Sequence, residues 1–281
     1  MSTKPLTLDQ CTTRAQLEKL FISTVHELAY TRRNVEVFRD FVNLSACAFR
    51  NSIPFAFYHD VEAEYMKIIG KYSEEKGEPD KFALLLAITV KALELECADF
   101  LGHVYMSQEM GNECAGQFFT PTCVARAMSK MTLGNVKQFI DESANGYITI
   151  NDPACGGAVM LIEAVNEAKA QGVDHSQQLC IYAEDIDIVC VHMAYVQLSL
   201  LGVPAIVSHR NTISMETWAQ WCTPVWVLNG FDFKERRRMQ RIENTDKGQV
   251  QDAPEVEPVE TMDKPFTIDF KEARQLELFA V

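Results

Sequence analysis

The chain has 281 residues, 47% of them hydrophobic and 23% charged, with a formal net charge of −13. That much apolar material can bury a core, so a wholly disordered or fibrous protein is excluded. The excess of carboxylates is the wrong sign for strong autonomous DNA binding, which draws on phosphate neutralisation by Lys and Arg.

Residues 1–112 read as an all-helical N-terminal unit. Leu17, Leu20, Phe21, Thr24, Val25 and Leu28 recur at helical spacing, and a second run covers residues 35–49. Asn51-Ser-Ile-Pro54 breaks the pattern. Residues 58–72 read as another amphipathic helix and Lys76-Gly-Glu-Pro79 as a turn, with one long helix expected from there to about Met106. The apolar run 82–106 is interrupted by Lys91, Glu94, Glu96 and Asp99, so no membrane span is expected. The first residues, Met-Ser-Thr-Lys-Pro, lack the apolar core of a signal peptide, which points to the cytoplasm. Nine cysteines with no Cys-x-x-Cys, and six scattered histidines, point to free buried thiols and to no metal site.

The character changes after Gly111. Residues 147–151 form a β-branched strand, 159–170 an apolar helix, 179–185 a second strand and 188–201 a second helix. Residues 204–208 read as a third strand and 224–229 as a fourth. Strands alternating with helices predict a parallel, doubly wound α/β sheet over 113–241, with its ligand beyond the carboxyl ends of the strands. A basic cluster follows: Lys234, Arg236, Arg237, Arg238 and Arg241. It reads either as a phosphate contact or as a solvated helix face. Residues 242–281 hold 4 basic and 10 acidic side chains and form an acidic tail, with 242–264 read as a flexible linker.

Two features carry chemistry. Asp152-Pro-Ala-Cys-Gly-Gly157 is a strand end opening into glycines, which lets the backbone approach a ligand at a helix N-terminus. Asp185 ends the next strand, where a carboxylate can accept two hydrogen bonds from ribose hydroxyls. The alternative for Asp185 is a helix cap, which Asp187 could equally supply.

These residues resemble the Asp-Pro-Ala-Cys-Gly-Ser-Gly loop of adenine-N6 DNA methyltransferases, and in particular the modification subunits of type I restriction systems. Gly116-Gln-Phe-Phe-Thr-Pro121 matches a second segment of that family, and the likeness covers about residues 95–215. It implies a Rossmann-like methyltransferase core and S-adenosylmethionine as cofactor. Phe119, Thr120 and Pro121 would line its methionine end, with Asp152, Ala154 and Gly156 as the floor. Asp185 would hold the ribose and Ile186 would pack on the adenine ring. Asn211 stands where the family has an Asp for the adenine amino group. The family's catalytic Asp/Asn-Pro-Pro-Phe/Tyr is here Asn229-Gly230-Phe231, in which Asn229 would orient the target amine of DNA and Phe231 would stack on the flipped base. The alternative is a glycine turn with a buried Phe.

The sheet is expected to be truncated, or completed by a partner protein or a second copy. Gln275-Leu276-Glu277-Leu278-Phe279 resembles the peptide that docks bacterial proteins on the DNA sliding clamp, with Leu276, Leu278 and Phe279 as anchors and Gln275 at the rim. The alternative is a C-terminal segment folded back on its own domain. Two functions follow from the resemblance: an adenine-N6 DNA methyltransferase of a bacterium, phage or mobile element, or an inactive relative that acts by binding, as a regulatory or anti-restriction protein.

Overall fold

Helix α1 (Arg14–Leu28) opens on a capping box. Thr13 Oγ1 accepts from the Gln16 N–H at 3.4 Å, while Gln16 Oε1 accepts from the Thr13 N–H at 3.1 Å. It is followed by α2 (Asn34–Asn51), α3 (His59–Ile69), α4 (Glu78–Leu95) and α5 (Phe100–Ser107). The computed structural model describes residues 7–53, 59–107, 120–249 and 276–277. The long helix expected through Met106 is in fact two. The chain breaks after Leu95, and Asp99 Oδ1 accepts from the Gly102 N–H at 2.8 Å to cap α5. Of the charges that interrupt the apolar run, Glu96 and Asp99 lie where the chain turns, while Lys91 and Glu94 lie within α4.

Next come α6 (Thr122–Leu133), α7 (Val136–Glu142), β1 (Ile148–Asp152), α8 (Val159–Ala170), α9 (His175–Gln178), β2 (Leu179–Asp185) and α10 (Ile188–Leu200). They lead to β3 (Ala205–Asn211), β4 (Glu216–Cys222), α11 (Pro224–Leu228), α12 (Phe231–Gln249) and the two-residue β5 (Leu276–Glu277). The sheet order is β4-β3-β2-β1-β5, with β1, β2 and β3 parallel, β5 parallel to β1, and β4 antiparallel to β3.

The fourth strand is a correction to the sequence reading. Residues 224–228 are helical, because Pro224 suits a first helical turn that needs no N–H there, and Gly230 at φ 65° follows the helix end. The strand lies earlier, at Glu216–Cys222. It turns back on β3 through a hairpin in which Asn211 Oδ1 accepts from the Ile213 and Ser214 N–H groups, at 3.0 and 3.1 Å.

One apolar core serves both halves. Phe21, Phe38, Phe41 and Phe100 of the helical half join Ile150, Ile181, Ala205 and Val207 of the sheet in a single cluster. Helix α10 is apolar all round, with ten of its residues buried, because it lies between α2 and the sheet. The alternate strand residues, Tyr147, Cys180, Tyr182 and Ile206, face the other way and are covered by Trp226 and Phe231. There a buried carboxylate, Glu235, accepts from the Tyr147 and Tyr182 hydroxyls at 2.6 Å each and pairs with Arg238 at 2.8 Å. Among the described residues no helix is long and apolar enough to cross a membrane.

Candidate cofactor site

The carboxyl ends of β1 and β2 converge on a tight turn. The turn is tied to β2 by its backbone: the Cys155 N–H donates to Glu184 O at 2.9 Å and the Gly156 N–H to Asp185 Oδ2 at 2.9 Å. Asp185 Oδ1 accepts from the Asp187 N–H at 2.8 Å, and Asp187 in turn caps α10 through the Val189 N–H at 2.9 Å. Asp187 therefore takes the helix cap, one of the two roles that the sequence left open for Asp185. Ala158, at φ 74°, completes the turn in the left-handed region that non-glycine residues seldom occupy.

Asp152, 3% exposed, is held by the Ala154 N–H at 3.1 Å. Burial, with Asp185 and Glu184 nearby, pushes its carboxyl up to about 6, partly offset by that hydrogen bond. A carboxyl raised from 3.8 makes a contribution that is fully present below 3.8 and lost as pH rises through about 6. Asp152→Asn should therefore stabilise the free protein above pH 6, by about 1–2 kcal/mol, with little effect below pH 4. Urea unfolding of both proteins across pH 4–8 measures this, and parallel curves would refute it. Asp185 is also raised, first by burial, with the Asp187 and Gly156 N–H groups opposing.

The remaining sequence-predicted residues fall in three places. Ile186 is 61% exposed beside the turn, and His209 Nε2 lies 3.1 Å from its carbonyl oxygen. Asn211 is at the same end of the sheet, but its Oδ1 already serves the hairpin. Thr120 and Pro121 precede α6, Pro121 as its cap residue; Phe119 lies outside the described residues.

Asn229, Gly230 and Phe231 are not brought to this turn. Asn229 Nδ2 donates to Ser176 O at 2.7 Å, on the short helix that precedes the amino end of β2. Phe231 is fully buried, its ring 5.5 Å from those of Tyr147 and Trp226. Within the basic cluster, Arg238 is buried on Glu235, Lys234 reaches Gln177 Oε1 at 3.1 Å, and Arg241 donates to Ala144 O at 2.8 Å. Arg236 and Arg237 are exposed. Of the C-terminal peptide, the backbone of Leu276 and Glu277 pairs with Ile150 and Asn151, while Gln275, Leu278 and Phe279 lie outside the described residues.

Sequence reasoning missed Trp218, whose ring is 4.6 Å from that of His209 beside Ile186. It also missed Gln197, which hydrogen-bonds Gly157 O at 2.7 Å from α10. The turn fits S-adenosylmethionine. Its glycine backbone faces the Asp185 carboxylate, which accepts from the Gly156 and Asp187 N–H groups, and an exposed Ile lies alongside.

The model of the N-6 DNA Methylase family matches residues 97–258, more than half of the chain. No curated protein matches. Among solved structures, a putative class I S-adenosylmethionine-dependent methyltransferase from Listeria monocytogenes is similar at 14% identity and a TM-score of 0.31, over 77% of this chain and 68% of that one. A type I restriction-modification methyltransferase subunit from Streptococcus thermophilus is similar at 18% identity and a TM-score of 0.27, over 69% of this chain and 42% of that one. With the family match spanning the turn, both acidic strand ends and the helices between them, the chain belongs to the N-6 DNA methylase family, whose cofactor is S-adenosylmethionine.

Proposed function

We propose that the protein binds S-adenosylmethionine at the carboxyl ends of β1 and β2, and works in DNA adenine modification as a binding or regulatory member of the family. Asp185 would take the ribose hydroxyls and Ile186 the adenine ring, with Asp152, Ala154 and Gly156 beneath the methionine end. When bound, the cofactor supplies an electrophilic methyl group on its sulfonium. One observation supports binding over transfer: Asn229 is spent on Ser176 O and Phe231 is buried, both at the end of the sheet opposite Asp152 and Asp185. Catalysis on an adenine amino group would need that amide and ring beside the cofactor. The test is calorimetry with S-adenosylmethionine, then labelled methyl transfer to unmethylated DNA, with and without candidate partners. Binding without transfer is the expected result, and labelled N6-methyladenine would overturn it.

Two partner readings accompany this one. Contact with DNA phosphate would fall to Arg236 and Arg237, the exposed members of the basic cluster. Docking of the C-terminal peptide on a sliding clamp would require Leu276 and Glu277 to leave β1, since one backbone cannot serve two sites. Deleting residues 275–281 should abolish recovery of purified clamp in a pull-down and leave the fold intact. Equal recovery with the truncated protein would end the clamp reading.

A further inference from the structure

Gln197 is fully buried on α10 with its side-chain amide saturated. Its Oε1 accepts from the Phe100 N–H at 2.9 Å and the Leu101 N–H at 3.1 Å. Its Nε2 donates to Asp99 Oδ1 at 2.8 Å and to Gly157 O at 2.7 Å. An amide has two N–H donors and two acceptor positions, so nothing is left over. Flipping it would turn its N–H groups on two backbone N–H groups, so the chemistry fixes its orientation.

Asp99 completes the node. Besides capping α5, its carboxylate oxygens lie 2.8 and 2.9 Å from the point where a side chain on Gly157 would begin. Gly102 Cα is 3.1 Å from the same point, so α5 and the turn meet backbone to backbone. The second glycine of Asp152–Gly157 is therefore required by its contact with α5. In sequence, α5 leads toward Gly116–Pro121, the other segment that the resemblance assigns to the cofactor.

We propose that Gln197, assisted by Asp99, is a positioning residue for the cofactor turn. It locks Gly157 to the first turn of α5, so that turn and helix keep one relative placement before ligand arrives. The inference deepens the cofactor reading and rests on it for its functional meaning. The mechanical part stands on the hydrogen bonds alone.

The experiment uses the full chain with two readouts. One is hydrogen exchange in peptides covering 100–107 and 153–158, with 205–211 as internal reference. The other is S-adenosylmethionine affinity. Gln197→Met removes all four bonds and should raise exchange in both peptides together and weaken affinity about tenfold. Gln197→Glu keeps the acceptor for Phe100 and Leu101 but loses both N–H groups, so exchange should rise mainly in 153–158. Asp99→Asn keeps the Oδ1 acceptor and should stay within about twofold of wild type in affinity. Glu235→Gln, at the far end of the sheet, should lower the melting temperature while leaving affinity within about twofold.

Unchanged exchange at 153–158 in Gln197→Glu would overturn the proposal. So would affinity losses that track melting temperature equally in the Gln197 and Glu235 variants. Should Gln197→Met not fold, Gln197→Glu and Asp99→Asn decide. If the wild type binds no cofactor, the proposed function fails, and the exchange results still decide the node.

Discussion

Glu235→Ala should cost about 3–5 kcal/mol of stability. The carboxylate is 5% exposed and Arg238 10%. Removing it leaves a buried guanidinium uncompensated and two buried phenols, Tyr147 and Tyr182, without the acceptor they reach at 2.6 Å. Burial alone would raise the Glu235 carboxyl, but Arg238 and the two hydroxyls outweigh it and hold the group below its ordinary 4.5. A depressed carboxyl contributes stability that is present above 4.5 and is lost as pH falls through its folded value. The gap between wild type and Glu235→Ala in urea should thus be full at pH 7 and should narrow below about pH 4.5. A gap under 1 kcal/mol at pH 7 would show the cluster to be dispensable.

The second large effect falls on binding. Asp185→Ala should weaken S-adenosylmethionine affinity by roughly ten- to a hundred-fold, the equivalent of about 1.5–3 kcal/mol for a hydrogen bond to a charged group. On the proposed reading two losses combine: acceptance from the ligand's hydroxyls, and the two struts to the Gly156 and Asp187 N–H groups that shape the turn. Asp185→Asn separates them only partly. Its amide presents one oxygen and one N–H face, so one backbone N–H must meet a donor. Calorimetry on wild type and both variants should rank them wild type, Asn, Ala. An Ala variant that binds like wild type would remove Asp185 from the site.

The turn at 152–157 and Asp185 were legible because their signals are local: a β-branched strand, an acidic end, then glycines. Residues 225–228 were not. Val-Trp-Val-Leu is an apolar run whose periodicity suits a buried strand or a buried helix turn alike. The flanking Pro224 and Gly230 are helix punctuation, and giving them more weight would have settled it. The expected position of Asn229–Phe231 moved with that assignment. Glu235 and Arg238 sit three apart in a charged stretch and looked like surface, since the two tyrosines that bury them come from distant strands. Gln197 carried no signal of its own. A glutamine in a mostly apolar helix gives no hint that three of its partners lie 96–98 positions earlier.

That separation has a consequence in time. The cofactor turn is finished only when residues 99–102, 157 and 197 have met, although its own sequence is complete at 157. At ribosomal rates of about 5–20 residues per second, the 40 residues between Gly157 and Gln197 take roughly 2–8 s to emerge. Through that interval a nascent chain carries the glycines and Asp152 without the amide that fixes Gly157. The hydrogen bond that fixes Gly157 thus arrives as a late step of synthesis, after the second crossover helix is out, rather than forming in step with the loop that bears the motif.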